Sequence, residues 1–428
     1  MRTPEEFLAE HGFVTAAELD RSAMIAAFLA EMERGLKGET SSLMMIPTYV
    51  GVEGKVPQGV KVAVLDAGGT NFRGAVVSIP PTIEEKRNQP MPGSKGHVDT
   101  EQFYAPFVAE LKRLEAYADA TKVGWCFSYP AAATPDLDAR LVRWTKGCDA
   151  PTIVGQYVGK ELRKRTGGDK IAIVNDTVAT LLAAKATEGD RTYSSYIGFI
   201  LGTGTNAAYV EKNANIAKLG DLAPDGSMII NAESGAFNQL ARSSFDIAVD
   251  DKSANPGAQF LEKQISGAYL GPIGLEVLKA AAKEGFFTPK TTAKIMGLGA
   301  LETMDFDNFC AAYVKPGREN VLDAIFADPN DARMARRLGV PVFERAATLT
   351  AIHLAAFVIK SGGGVDASAP VAINADGSTY YKTRAIPFAD AVKRELDQML
   401  VKMRNIHYEI TPPVEDAPMI GAAIAALL

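Results

Sequence analysis

The tripeptide Gly-Thr-Asn occurs at 69–71 and again at 204–206, 135 residues on, and the two copies sit in the same setting. In the first, the apolar run Val62-Ala63-Val64-Leu65 ends in Asp66 and passes through Ala67-Gly68-Gly69-Thr70-Asn71 into Phe72-Arg73. In the second, Ile197-Gly198-Phe199-Ile200-Leu201 passes through Gly202-Thr203-Gly204-Thr205-Asn206 into Ala207-Ala208-Tyr209-Val210. Each reads as a strand, a Gly/Thr turn and a returning strand. Glycine lets a backbone approach a ligand with no Cβ in the way, while threonine hydroxyls and turn N–H groups donate to anionic oxygens. Two such hairpins face to face would grip a phosphate chain from both sides, and Asp66 stands where its metal would sit.

A chain of 428 residues is too long for one ordinary core, and its 47% hydrophobic content is enough to fill two. The net charge of −6 argues against a general binder of nucleic acid or anionic membrane, so an anionic ligand must be held by local geometry and a cation. Cys126, Cys148 and Cys310 are odd in number and form no CxxC pair, which favours reduced, buried thiols over disulfides or zinc. Glu5 and Glu6 stand where a signal peptide would carry cations, and no apolar run long enough to span a bilayer is expected. The cytoplasm is the expected compartment. His11, His97, His353 and His407 fall outside every motif and read as surface or packing residues.

Residues 4–37 carry apolar side chains at helical spacing, closed by Gly38. From Lys61 to about Asp176 the pattern is strand and hairpin, a polar excursion near 80–100, a helix around Phe103–Ala118, then further strands. Helices dominate from Thr177 onward, interrupted by the second hairpin, by Met228–Asn231 and by Pro370–Asn374; Met419–Leu428 is an alanine-rich stripe able to pack back on the first unit. The expected division is a small domain of 60–176 plus about 414–428 and a large domain of 1–59 plus 177–413. The recurring hairpin makes this a duplicated βββαβα-type core with a cleft between its halves.

Lys170-Ile171-Ala172-Ile173-Val174 reads as a buried strand that ends in Asn175-Asp176-Thr177 as a helix begins. Asp176 therefore lies at the carboxyl end of a strand, the usual mouth of an α/β crevice. The competing reading is a plain helix cap. Ser128 follows another strand, and Thr145 and Lys146 add a hydroxyl and an ammonium; Glu233 and Glu262 add carboxylates beside small residues. Carboxylates and amides each bond several hydroxyls, so such a set suits a polyol. Singly, Glu233 reads equally as a solvated loop residue and Glu262-Lys263 as helix surface; the chemistry needs them together.

Taken in order, these segments resemble the hexokinase family, within the superfamily shared with actin and the Hsp70 ATPases. The resemblance runs through Leu65–Arg73, Phe127–Pro130 with Trp144–Gly147, Val174–Val178, Leu201–Tyr209, Ile230–Glu233 with Phe260–Gly271, and Ile373–Ser378. It implies an α/β, two-domain actin-like ATPase fold of duplicated ribonuclease-H-like units with an interdomain cleft, and transfer of phosphate from ATP to the 6-hydroxyl of a hexose, glucose foremost. It implies Asp176 as the base, with Ser128, Thr145, Lys146, Asn175, Asn206, Glu233 and Glu262 on the sugar. Asp66 would position Mg²⁺ through water; Gly68, Gly69, Thr70, Asn71 and Arg73 with Gly202, Thr203, Gly204 and Thr205 would embrace the phosphates. Phosphoryl transfer also calls for a cation, from Lys146 or Arg73. Gly363, in Ser361-Gly362-Gly363-Gly364, is the adenine-side candidate, with an ordinary glycine helix cap as the competing reading. Water competes with the sugar as acceptor, so sugar binding is expected to close the cleft. The family pattern is altered at Ala179, Cys148, Ser234, Pro272 and Asp416–Gly421, with Cys148 and Ser234 expected to border the pocket. A kinase of another sugar and a weakly catalytic sugar-sensing regulator stand as the alternatives.

Overall fold

The computed structural model describes residues 2–54, 56–168 and 171–428; Lys170, the expected head of the strand before Asn175, lies outside the described residues. Two large sheets share one internal plan. In the first, Lys61–Ala67 is central, pairing antiparallel with Asn71–Ser78, which pairs with Thr82–Pro90; on its other side Lys122–Phe127 and then Ile171–Val174 run parallel to it. In the second, Ser195–Leu201 pairs antiparallel with Thr205–Lys212, which is followed by Ser227–Asn231 and the short Ile46–Pro47; Val371–Asp376 and Tyr408–Ile410 run parallel on the far side. The repeated hairpin thus forms the heart of each sheet. The central strands are apolar almost throughout because both of their faces are covered.

Helices Asp176–Ala186 and Ala417–Leu427 fill the space between the sheets. A Cβ on Gly198 of the second sheet would lie 2.1 Å from the Thr177 carbonyl oxygen, and one on Gly124 of the first sheet 2.1 Å from the Ala422 carbonyl oxygen. Between the two helices, a Cβ on Gly421 would lie 1.9 Å from the carbonyl oxygen of Ala179. The layers are therefore sheet, helix, helix, sheet, touching backbone to backbone. The alanine-rich C-terminal stripe packs on the first sheet as expected, and on the 176–186 helix as well.

Three readings are refined. Residues 4–37 form two helices, Pro4–Glu10 and Arg21–Lys37, with Gly38 as the left-handed cap of the second. The polar stretch near 80–100 includes the edge strand Thr82–Pro90, whose charged, exposed side chains suit an unpaired edge. The third is a correction: Pro329–Ser361 is a 33-residue helix long and apolar enough, by length and composition, to cross a membrane. Of its apolar stretch, 89% is buried. Its apolarity has a structural cause, since it packs on the second sheet and on Arg21–Lys37 and is covered nearly all round.

The helix–helix contact leaves no space for a side chain at 421. Gly421→Val should lower the thermal midpoint by about 5 °C or more, the scale of an overpacked core. A melt of the variant matching that of the parent would contradict the packing described.

Candidate active site

Parallel strands place their carboxyl ends along one lip of the cleft, so Gly68–Thr70, Ser128 and Asn175–Asp176 emerge side by side. The second sheet presents Gly202–Thr205, Asn231–Glu233 and Asp376–Gly377 in the same way. At the head of the 176–186 helix the cap is Asn175, whose Oδ1 accepts from the Thr177 N–H at 3.0 Å and from the Thr177 hydroxyl at 2.7 Å. The sequence reading that left capping to Asp176 or Thr177 is corrected by one residue. Among the described residues Asp176 accepts from the Thr177 N–H alone, at 2.9 Å on Oδ1, which leaves Oδ2 for other work.

The first glycine turn is closed by the Gly68 N–H on the Asn71 carbonyl at 3.0 Å, the Tyr129 hydroxyl on the Gly68 carbonyl, and the Met91 N–H on the Thr70 carbonyl at 3.0 Å. Asn71 Nδ2 reaches the Thr70 hydroxyl at 3.3 Å. The second turn is held by the Gly267 N–H and the Thr379 hydroxyl on the Gly202 carbonyl, both at 2.8 Å. Thr203 is exposed, whereas the Thr205 hydroxyl donates to the Ile200 carbonyl at 2.9 Å and the Thr205 N–H to Glu262 Oε2 at 3.0 Å. A Cβ on Gly204 would lie 2.5 Å from that carboxylate oxygen, so this glycine makes room for Glu262. Beside Thr203 opens a cavity of about 970 Å³, lined among others by Ala268, Ser378, Lys382 and Tyr313 with the Arg384 guanidinium stacked 4.2 Å over its ring. The Ile373–Ser378 segment adjoins it.

The polyol candidates are wired together. Asn206 Nδ2 donates to Asn231 Oδ1 at 2.7 Å, Asn231 Nδ2 to Glu233 Oε1 at 3.0 Å, and Asn206 Oδ1 accepts from the Ser234 N–H at 3.1 Å. Glu233 sits at φ 54, a left-handed conformation uncommon for a residue with a side chain and typical of strain kept at working sites. Glu262 and Lys263 are not a surface pair, because Lys263 is buried on Asp250 at 2.6 Å. Thr145–Cys148 is a tight turn with Lys146 and Gly147 both left-handed, closed by the Cys148 N–H on the Thr145 carbonyl at 3.3 Å. Lys146 Nζ donates to the Ser128 carbonyl at 2.9 Å.

The charges show that these groups share one space. Burial pushes the Glu233 carboxyl up, with the Asp176 charge adding to the rise while Asn231 and, more weakly, Arg143 and Lys146 pull it down. Burial likewise raises Glu262, with Glu233 adding to it and Thr205, Lys263 and Lys146 opposing. Burial raises Asp66 as well, against the pull of Arg73, and the Asp176 charge contributes. Residues of both sheets therefore meet around Asp176.

Several candidates serve other ends. Arg73 spends its guanidinium on Asp66, with Nε at 2.9 Å from Oδ2, and on Asp416 Oδ1 at 2.7 Å, where Lys86 also binds at 2.8 Å. It is a clamp on Asp66 and no free cation. Gly363 lies at the opposite end of the second sheet, where a Cβ would meet Ser194 Oγ and Val371 Cγ2 at 2.8 Å; Gly362 is the helix cap. Cys148 and Ser234 are buried, the thiol facing the Pro92 carbonyl at 3.5 Å and the serine hydroxyl facing Asn206 Oδ1 at 3.4 Å. Asn231, Tyr129 and Asp416 lie inside the quoted segments, but the sequence assigns them no role, because their partners Asn206, Gly68 and Arg73 come from other segments.

Comparison with known proteins agrees with this geometry. Two models of the hexokinase family match, one over residues 9–186 and the other over 196–428. The hexokinase of Kluyveromyces lactis is 30% identical over 97% of this chain and 90% of its own length, and hexokinase-2 of Saccharomyces cerevisiae is 29% identical over 95% and 88%. The structure of Schistosoma mansoni hexokinase complexed with glucose superposes with a TM-score of 0.77 at 25% identity, covering all of both chains. A ROK hexokinase from Thermus thermophilus shares the fold alone, at a TM-score of 0.52 and 17% identity over 86% of this chain and 97% of its own.

The crowded carboxylates have a measurable cost. A carboxyl raised above its unfolded value favours the folded state below the ordinary glutamate range, about 4.3, and that contribution is lost as pH climbs through the raised value. Without ligands, Glu233→Gln should therefore melt progressively higher than the parent as pH rises through this window. Parallel melting profiles for the two proteins would argue against the strained, half-buried carboxylate.

Proposed function

The chain belongs to the hexokinase family and is a phosphotransferase that phosphorylates a sugar hydroxyl; from that premise we propose that it moves the terminal phosphoryl group of ATP to the 6-hydroxyl of a hexose, glucose foremost, with Asp176 as general base. The reading is carried by the Asp176 Oδ2 left over when Asn175 caps the helix, beside the carboxylates of Glu233 and Asp66, with Glu262 and Lys146 next to Glu233. Glucose is the first candidate because it is the ligand of the Schistosoma mansoni relative.

The division of labour follows from the chemistry. Phosphoryl transfer asks little covalent help of a protein, so alignment and charge do most of the work. Glu233 and Glu262 accept from sugar hydroxyls, while Lys146, Ser128 and Thr145 approach from the opposite lip. Asp176 takes the proton from the attacking hydroxyl. Gly69, Thr70 and Thr203 with the turn N–H groups receive the phosphate chain, and the cavity beside Thr203 takes the nucleoside. Mg²⁺, when bound, neutralises charge on the transferring phosphates. It usually keeps several waters and needs only one or two carboxylates besides phosphate, and Asp66 with Asp176 fits that donor set. Groups on the sugar side come from both sheets, so a bound hexose bridges them and draws the lips together, completing the site only when the right acceptor is present.

A coupled assay with MgATP against glucose, mannose, fructose, glucosamine and N-acetylglucosamine tests the reading, with glucose expected to be turned over; no turnover of any would refute it. Asp176→Asn should keep sugar affinity within a few fold yet lower turnover by about 10²-fold or more. Near-normal turnover would remove Asp176 from the role. Closure is checked by scattering and by fluorescence from the half-buried Trp144 with and without glucose, and unchanged signals in both would argue for a rigid cleft.

A further inference from the structure

Tyr129 belongs to no ligand in the reading above, yet it touches both sides of the reaction. The Ser128 N–H bonds to the Ala67 carbonyl at 3.2 Å, carrying the parallel pairing beyond the strand ends and bringing Tyr129 up beside the first glycine turn. There its hydroxyl donates to the carbonyl of Gly68. The ring is buried, braced edge-on by Trp144 at 4.8 Å, and carries the Lys146 ammonium 5.5 Å from its centroid. The stem of Lys146 in turn lies across Gly69, where a Cβ would meet Cδ at 3.3 Å. Burial raises the phenol further above its ordinary value, so the hydroxyl stays a donor throughout the working range of pH.

The polyol-side lysine and the phosphate-side turn are thus joined through one aromatic side chain. A cation held over a ring and one hydrogen bond on the turn's carbonyl make a contiguous path about two residues wide, the physical form that coupling between two sites requires. We propose that Tyr129 is a positioning residue for that reaction: its ring under Lys146 and its hydroxyl on Gly68 set the geometry of the Gly68–Thr70 turn, so that the effect of bound hexose on nucleotide affinity passes through this side chain. The inference rests on the hexose kinase reading. When a sugar engages Lys146, the ammonium shifts on the ring, and the ring's hydroxyl carries that shift to Gly68. By linkage the nucleotide must raise sugar affinity by the same factor.

Tyr129→Phe removes only the hydroxyl and keeps the ring under Lys146. The readout is the dissociation constant of a non-hydrolysable ATP analogue with Mg²⁺, measured by calorimetry without and with saturating glucose, and the ratio of the two. The variant should lower that ratio by about threefold to tenfold, the scale of one buried hydrogen bond, and lower kcat to a similar degree with the sugar KM within about twofold. Gly69→Ala, which pushes on the Lys146 stem from the other side, should lower the ratio too, whatever it does to nucleotide affinity itself. A role confined to folding would move the melting temperature and leave the ratio alone. If the parent protein turns over glucose but its ratio is near one, or if both variants keep the parental ratio, the coupling is overturned while the kinase reading stands. If the parent turns over no hexose, the kinase reading fails on its own account.

Discussion

The contact of Gly421 with Ala179, where a Cβ would lie 1.9 Å from the carbonyl oxygen, fixes how the two halves stand to each other. A helix pair this close excludes any side chain larger than hydrogen at the crossing, and the flanking contacts at Gly124 and Gly198 repeat the constraint on each sheet. The consequence is geometric. With sheet, helix, helix and sheet locked in sequence, the carboxyl ends of the parallel strands in both sheets come out on the same side, and their loops face one another. Asp176 opens one of those two central helices and Asp416 precedes the other. The catalytic candidate and the clamp on Asp66 are therefore set by the same contact that builds the fold.

Charge works against that packing. The Asp176 charge bears on Asp66 and Glu233, and that of Glu233 on Glu262, while burial raises Asp66, Glu233 and Glu262. A core optimised for stability would not gather them. Arg73 and Lys86 offset part of the repulsion through Asp66 and Asp416, and Lys146 offsets part of it from the sugar side. Stability given up at a site is the usual counterpart of chemistry done there.

Local pattern made much of this legible. The apolar strands, the duplicated Gly/Thr hairpins and the carboxyl-end position of Asp176 all follow from periodicity within a dozen residues, which a linear reading captures. What it could not supply were partners far apart in the chain. Arg73 looked like a free cation because its second partner, Asp416, lies 343 residues away. Gly204 looked like a phosphate contact until Glu262 arrived in the space its missing Cβ leaves. Gly363 is read from a glycine run and Cys148 from the family pattern, and their surroundings, Val371 and Pro92, belong to other segments. Ala346–Ile359 reads as a helical run, but its extension to Pro329–Ser361 does not, because Arg333, Arg336, Arg337, Glu344 and Arg345 interrupt the apolar pattern and the fold covers what lies between them.

The same distinction separates what a sequence can announce for a phosphate chain from what it can announce for a polyol. A phosphate chain is recognised largely by backbone N–H groups, and a backbone poised to donate needs glycines, which announce themselves. A polyol is recognised by side chains whose orientation is set by neighbours: Glu233 by Asn231, Asn231 by Asn206, and Glu262 by the Thr205 N–H. Such a chain has no spacing rule, since each link crosses from one strand or loop to another. Its members come together only when the second sheet has formed, and the bonds among them are a property of the assembled edge.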